Sequence, residues 1–252
     1  MKRFPAVSLV LLCCLLMAGA SAAELKVLTA GAFKPVVSAL APAFEQRTGH
    51  KVVLDNATAG VLAKRISDGE AFDVAIITPA VVKELSDSGK LQADSVANVA
   101  RVGIGVAVKA GAPQPDIGSA SAFQQALLAA RAVAFIDPAS GGSSGIYLAR
   151  LFDRMGIAAQ IKSKSVLVPG GLVAQRLVTG EADIAIHQIS EILAVPGVTL
   201  VGPLPAELQN YTVYAGALST KAANAAGAKE FLALLRSAEA AAILKAKGME
   251  AP

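Results

Sequence analysis

Two hydrophobic rhythms alternate along this chain. Short apolar runs, "LKVLTA" (25–30), "KVVLD" (51–55) and "FDVAIIT" (72–78), read as strands. Between them, apolar residues recur three and four apart. "KPVVSALAPAFEQRTG" (34–49) sets Val37, Leu40 and Phe44 on one helical face. It starts with Pro35, harmless in a first turn that has spare N–H groups, and stops at Gly49. "GVLAKRISDG" (60–69) and "PAVVKELSDSG" (79–89) repeat the helical pattern. Such a βαβαβα series predicts a parallel sheet covered by helices, with loops gathered at the carboxyl ends of the strands.

The rhythm breaks at "VARVGIGVAVKAGAPQPD" (99–116), a long extended run ending in a Gly/Pro-rich turn. A second βα series follows: "SAFQQALLAA", "AVAFID", "GIYLARLFDRMG", "SVLVPGG", "LVAQRLVTG" and "ADIAIHQ". "VTLVGPLP" and another extended run, "YTVYAGALS" (211–219), come next, and the tail from Ala228 reads as two short helices. Two long extended runs bracketing a central βα block predict an α/β protein of two lobes. Residues 24–103 with 208–252 form the first lobe, 104–207 the second, and the crossing strands a hinge. A single continuous sheet is the alternative. Clefts between lobes are preferred ligand sites.

The first residues set the compartment. "MKRFPAVSLVLLCCLLMAGASAAE" has a basic start, an apolar core from Val7 to Met17 and a small-x-small cleavage site at Ala20–Ala22. Residues 1–22 read as a signal peptide, so the mature chain is expected in the periplasm or secreted; a retained anchor is the alternative. Both cysteines, Cys13 and Cys14, fall in that leader. The mature protein would then have no disulfide and no thiolate chemistry.

Charge and composition remove further classes. The chain holds 23 Lys and Arg against 19 Asp and Glu, dispersed without a basic stripe, which disfavours nucleic acid. With no Trp and three Tyr it lacks the flat platforms of sugar and base recognition. His50 and His187 are far apart and have no cysteine partners, so no metal site is expected. "SGGSSG" lacks the Lys-Ser/Thr ending of a phosphate loop, and "TAGAFK" is not GxGxxG. No cofactor is expected, and the protein is expected to be a monomer.

Three loops built of small residues follow strands and enter helices: "TAGAFKP" (29–35), "NATAGV" (56–61) and "PASGGSSG" (138–145). Turns need small residues for their own sake. Three such loops in register on one βα scaffold nevertheless offer backbone N–H groups at helix starts, an arrangement that binds oxyanions or carboxylates. The candidate cradle is Ala32 and Phe33 from the first loop and Thr58, Ala59 and Gly60 from the second. Ser140, Ser143, Ser144 and Tyr147 come from the third, with Gly170, Gly171 and Gln188 closing it. Tyr147 either donates to the ligand or caps the surface between lobes. His187, at the carboxyl end of its strand, either serves as an acid/base group or is a satisfied, partly buried histidine.

These elements carry a resemblance. "LTAGAFKPVVSALAPAFEQRTG", "AGVLAKRISDGEAFDVAI", "SSGIYLARL" and "KEFLALLRSAEAAAILKAKGM" resemble the molybdate-binding-protein-like branch of the periplasmic solute-binding proteins of ABC importers. The resemblance implies the two-lobe type II periplasmic-binding-protein fold, with mostly parallel sheets and helices on both faces. It also implies closure on a small anionic ligand and delivery to a membrane permease. Three positions depart from the pattern. Members carry Ser where this chain has Ala32 and Ala59, and Tyr where it has Gln188. Each donor lost to a charged ligand costs about 1.5–3 kcal/mol, which tells against molybdate. "SSGIYL" and "PGVTLVGPLP" also resemble the aconitate isomerase group of this branch. That resemblance implies a second function, allylic proton transfer between trans- and cis-aconitate with His187 as proton carrier.

Overall fold

In the computed structural model, residues 23–252 are described. The expected signal peptide and both cysteines lie outside them. Strands β1 (Glu24–Ala30), β2 (Lys51–Ala57) and β3 (Val74–Ile77) alternate with helices α1 (Lys34–Thr48), α2 (Ala59–Ser67) and α3 (Pro79–Asp87). The long β4 (Ala97–Lys109) follows. Next come α4 (Ala120–Ala129), β5 (Val133–Ile136), α5 (Ser143–Arg154), α6 (Ala158–Lys162), β6 (Ser165–Val168), α7 (Gln175–Val178), β7 (Ile184–Gln188) and α8 (Ile189–Ile192). The chain closes with β8 (Val198–Pro203), β9 (Tyr211–Leu218), α9 (Ala225–Leu234) and α10 (Ala238–Ala246).

The strands form one hydrogen-bonded order, β2-β1-β3-β9-β4-β7-β5-β6, with β8 also on β4. Pairing is parallel on both flanks, β1 with β2 and β3, β5 with β6 and β7. It is antiparallel through the middle, because β4 and β9 run back across the sheet. The sheet is therefore mixed rather than mostly parallel, and the helices cover both of its faces. Its continuity rests on the length of β4. Residues 97–103 pair with β9, and from Ile104 onward the strand pairs with β7 and β8. At the changeover the Gln209 side chain stands in for a strand. Its Oε1 accepts from the Ile104 N–H at 2.8 Å and its Nε2 donates to the Ile104 carbonyl at 2.9 Å.

Strand alternation sorts the core into layers. Leu25 and Val27 of β1 face the layer that holds Val37, Leu40 and Phe44 of α1 with Phe231 of α9 and Leu244 of α10. Phe44 and Phe231 meet edge to face at 5.1 Å. Leu28 faces the opposite layer, with Leu62 and Ile66 of α2 and Val82 and Leu85 of α3. The second half repeats the plan. Phe123 of α4 and Leu148, Leu151 and Phe152 of α5 fill one face, and Val173, Leu177 and Ile192 the other. Truncating a buried ring such as Phe44 to Ala would cost about 3–5 kcal/mol.

Candidate functional site

The carboxyl ends of β1, β2, β3, β5 and β7 converge on one cavity. Its walls include Gly31 and Ala32 after β1, Asn56, Thr58 and Ala59 around the start of α2, Thr78 after β3, Ser143 and Ser144 at the start of α5, and His187, Gln188 and Glu191 from β7 and α8. Tyr214 of β9 closes it. None of the lining residues is Lys or Arg.

Of the cradle expected from sequence, Ala32, Thr58, Ala59, Ser143, Ser144, Gly171 and Gln188 line this cavity, and so does His187. Phe33, Gly60, Ser140, Tyr147 and Gly170 do not. Phe33 is fully buried in the core layer under α1, with its ring centre 6.2 Å from that of Tyr214. Gly170 is exposed on the turn before Gly171. Tyr147 donates its hydroxyl to the Leu208 carbonyl at 2.6 Å and lies under the Arg154 guanidinium. It ties α5 to the segment before β9.

Gly60 and Ser140 act at the rim instead. Thr58 is the N-cap of α2, accepting from the Val61 N–H, and its hydroxyl also donates to the Ser140 carbonyl across the cleft. The Gly60 N–H donates to the Gly141 carbonyl at 3.3 Å. The two backbones touch, so that a Cβ on Gly60 would lie 2.9 Å from the Gly141 Cα. The rim contact thus requires glycine at residue 60 and its partner.

Inside, two polar groups of side chains stand out. Gln188 is buried and donates from Nε2 to Thr212 Oγ1 at 2.9 Å and to Ser143 Oγ at 3.1 Å. Its Oε1 is buried without a partner. The second group is the corner between β7 and α8. His187 Nε2 and Glu191 Oε2 are 3.2 Å apart, and the two side chains are 2% and 8% exposed. Burial pushes Glu191 up to about 8 and His187 down to about 3. Both are then neutral near pH 7, and their contact is a hydrogen bond between neutral groups. His187 Nδ1 is buried with no partner. Tyr214 lies beside Glu191 and Ser143, and burial, then the Glu191 charge, holds its phenol protonated well above the usual range.

Asn56, Thr78, Glu191 and Tyr214 line the cavity without having been singled out by sequence. Glu191 had only a weak signal, its place four residues after a histidine at a strand's carboxyl end. Tyr214 had a weaker one. It shares a strand face with Thr212, two residues away, in a run that crosses the hinge.

No group of three or more His, Cys, Asp or Glu placed to hold a metal ion occurs among the described residues. No helix among them is long and apolar enough to cross a membrane.

A mixed α/β sheet with its cavity at the carboxyl ends of the strands defines a class, and the family comparison agrees with it. The chain belongs to the bacterial extracellular solute-binding proteins, whose family model matches residues 25–250. It is 33% identical over 241 residues to an aconitate isomerase from a Pseudomonas species, covering 93% of this chain and 90% of that one. Its fold is that of a periplasmic molybdate-binding protein from Azotobacter vinelandii (TM-score 0.78, 22% identity, covering 91% of this chain and 100% of that one). It is also that of the sulfate-binding protein SubI from Mycobacterium tuberculosis (TM-score 0.74, 18% identity, covering 91% and 87%).

Proposed function

We propose that this protein is an isomerase of small unsaturated polycarboxylates, of the aconitate type, working in the periplasm. Residues 24–103 with 208–252 close on residues 104–207, holding the substrate between them. His187 carries a proton along the allylic system, converting trans- to cis-aconitate. The observation behind this reading is the buried His187–Glu191 pair on the cavity wall. The pair puts a carboxyl group on the wall of the cavity. Ionised, it would repel the ligand at close range; held neutral beside a histidine, it fits proton transfer. The identity to an aconitate isomerase over nearly the whole chain supports the same reading.

Capture of an anion for an ABC permease is the second reading. The family and the molybdate- and sulfate-binding fold neighbours favour it. One pair of measurements separates the two. The mature protein is incubated with trans-aconitate and the cis isomer is measured; separately, melting is followed against molybdate, sulfate and tricarboxylates. Turnover together with a tricarboxylate shift supports the isomerase. A shift of about 2.7 kcal/mol at ~100 times the dissociation constant without any turnover supports the capture role alone.

A further inference from the structure

We propose that Glu191 and Tyr214 together form the anion-stabilising half of the active site, donating to the dienolate that His187 generates. This rests on the isomerase reading and assigns the roles within it.

The geometry divides the work. His187 has two ring nitrogens in different situations. Nε2 faces Glu191 Oε2 at 3.2 Å, whereas Nδ1 is buried in the cavity wall without a partner. A neutral imidazole whose N–H is on Nε2 donates to Oε2 and leaves the Nδ1 lone pair free. That nitrogen is the base. Glu191 then has its other oxygen, Oε1, for the proton that burial keeps on it. Oε1 lies over Gly31, where a Cβ would come within 2.6 Å of it. Glycine there leaves room for the carboxyl group at the cavity wall. Tyr214, on β9, brings a second protonated donor to the same place, beside Glu191 and Ser143. No lysine or arginine lines the cavity, so the developing negative charge depends on neutral donors. A phenol and a protonated carboxylic acid side by side, both shielded from water, stabilise a dienolate because they are already oriented when the charge appears.

The step balances. His187 Nδ1 takes a proton from the substrate methylene. The C–H electron pair moves into the adjacent carbon–carbon bond, the former double-bond pair moves into the bond to the conjugated carboxylate carbon, and that carboxylate's C=O pair moves onto its oxygen. Glu191 and Tyr214 hydrogen-bond that oxygen without giving up their protons. His187 returns its proton to the far allylic carbon, and the double bond has moved by one position. No proton, electron or co-reactant is consumed.

The experiment compares four variants by kcat and KM for trans-aconitate, with ligand-induced melting shifts as the check that each variant still binds. His187→Asn removes turnover. Tyr214→Phe lowers kcat by ~10²–10³ with little change in KM, the usual cost of one donor aimed at an oxyanion. Glu191→Leu does the same. Glu191→Gln is the discriminating variant, because an amide mimics a protonated carboxyl and still donates. It loses only about tenfold, the cost of a weaker donor. Deuterium placed on the methylene also appears in part at the far carbon of the product, since one base carries it. If Glu191→Gln is as dead as His187→Asn, Glu191 carries the proton and the assignment falls while the isomerase reading stands. Full activity in Tyr214→Phe likewise removes the assignment alone. No turnover by the wild type removes both.

Discussion

The two sides of the cavity are built on different principles. The loop side, at the starts of α1, α2 and α5, offers backbone, hydroxyls and space from Gly31, Ala32, Thr58, Ala59, Ser143 and Ser144. Its work is to accept an anion and close over it. The β7–α8 corner, with Tyr214 beside it, offers titratable groups at 2–8% exposure. A capture protein needs only the first side. What the second adds is a place where protons are held out of water, which on the isomerase reading turns an anion trap into a reaction chamber.

Substitutions can test that division from each side. Apart from the polar groups themselves, the largest effect is expected where the two sides meet, at Gly31. Gly31→Ala puts a methyl group 2.6 Å from Glu191 Oε1, forcing the carboxyl off its position against His187. A misplacement of that size lowers kcat by about 10²-fold, measured on trans-aconitate, while the rim stays intact. Gly60→Ala strikes the loop side alone. Its Cβ meets the facing backbone at 2.9 Å, which costs the closed form about 1–3 kcal/mol and weakens ligand affinity about 10–100-fold by calorimetry. Ligand-free stability stays within about 1 kcal/mol, because helix propensity gained in α2 offsets the lost contact.

The titrating side is tested by pH. Glu191 holds its proton in the folded chain up to about 8, against 4.5 when unfolded, so between these values stability falls as pH rises. His187 stays neutral down to about 3, against 6.5 when unfolded, so between these values stability rises with pH. The two slopes cancel between 4.5 and 6.5. From 6.5 to 8 stability falls by about 1.4 kcal/mol per pH unit, a limb that urea titrations will show and that Glu191→Gln abolishes. The acid limb is less diagnostic, because Glu70, held at about 2 chiefly by Arg65, contributes there too. The smallest effect belongs to the exposed Lys64–Asp68 pair, where Lys64→Ala changes stability by at most about 0.5 kcal/mol and leaves kcat alone.

The loop side was legible in sequence because its signal is local. Small residues between a strand and a helix announce a turn with free N–H groups, and "NATAGV" and "PASGGSSG" did so. The spacing of Val37, Leu40 and Phe44 announced α1 in the same way. The two roles open to Tyr147 could not be separated in sequence, because helical position says where a side chain starts and not what it reaches; the Leu208 carbonyl that takes its hydroxyl comes from a segment 61 residues away. The corner was harder still. Glu191 sits in a helix of four residues, too short for a periodicity to show that it faces inward, and an isolated glutamate is ordinarily solvated. Its burial comes from packing of α8 beneath the first turn after β1, where Ser190 donates to the Ala32 carbonyl at 2.8 Å.

The long β4 has a consequence for how the chain reaches this state. β3 borders β9, and so does the first half of β4, yet residues 211–218 come after the whole block that β5, β6 and β7 organise. Until they arrive, the edge of β3 stays open, and its "VAII" is an unpaired apolar strand of the kind that recruits other chains. The inserted block has no such delay, since its parallel pairs close over short distances in sequence. Assembly is therefore expected to run from the middle outward, with the β1–β3 sheet waiting for β9. A chain cut short before residue 211 would keep its inner block and expose that edge, trading a folded protein for an aggregate.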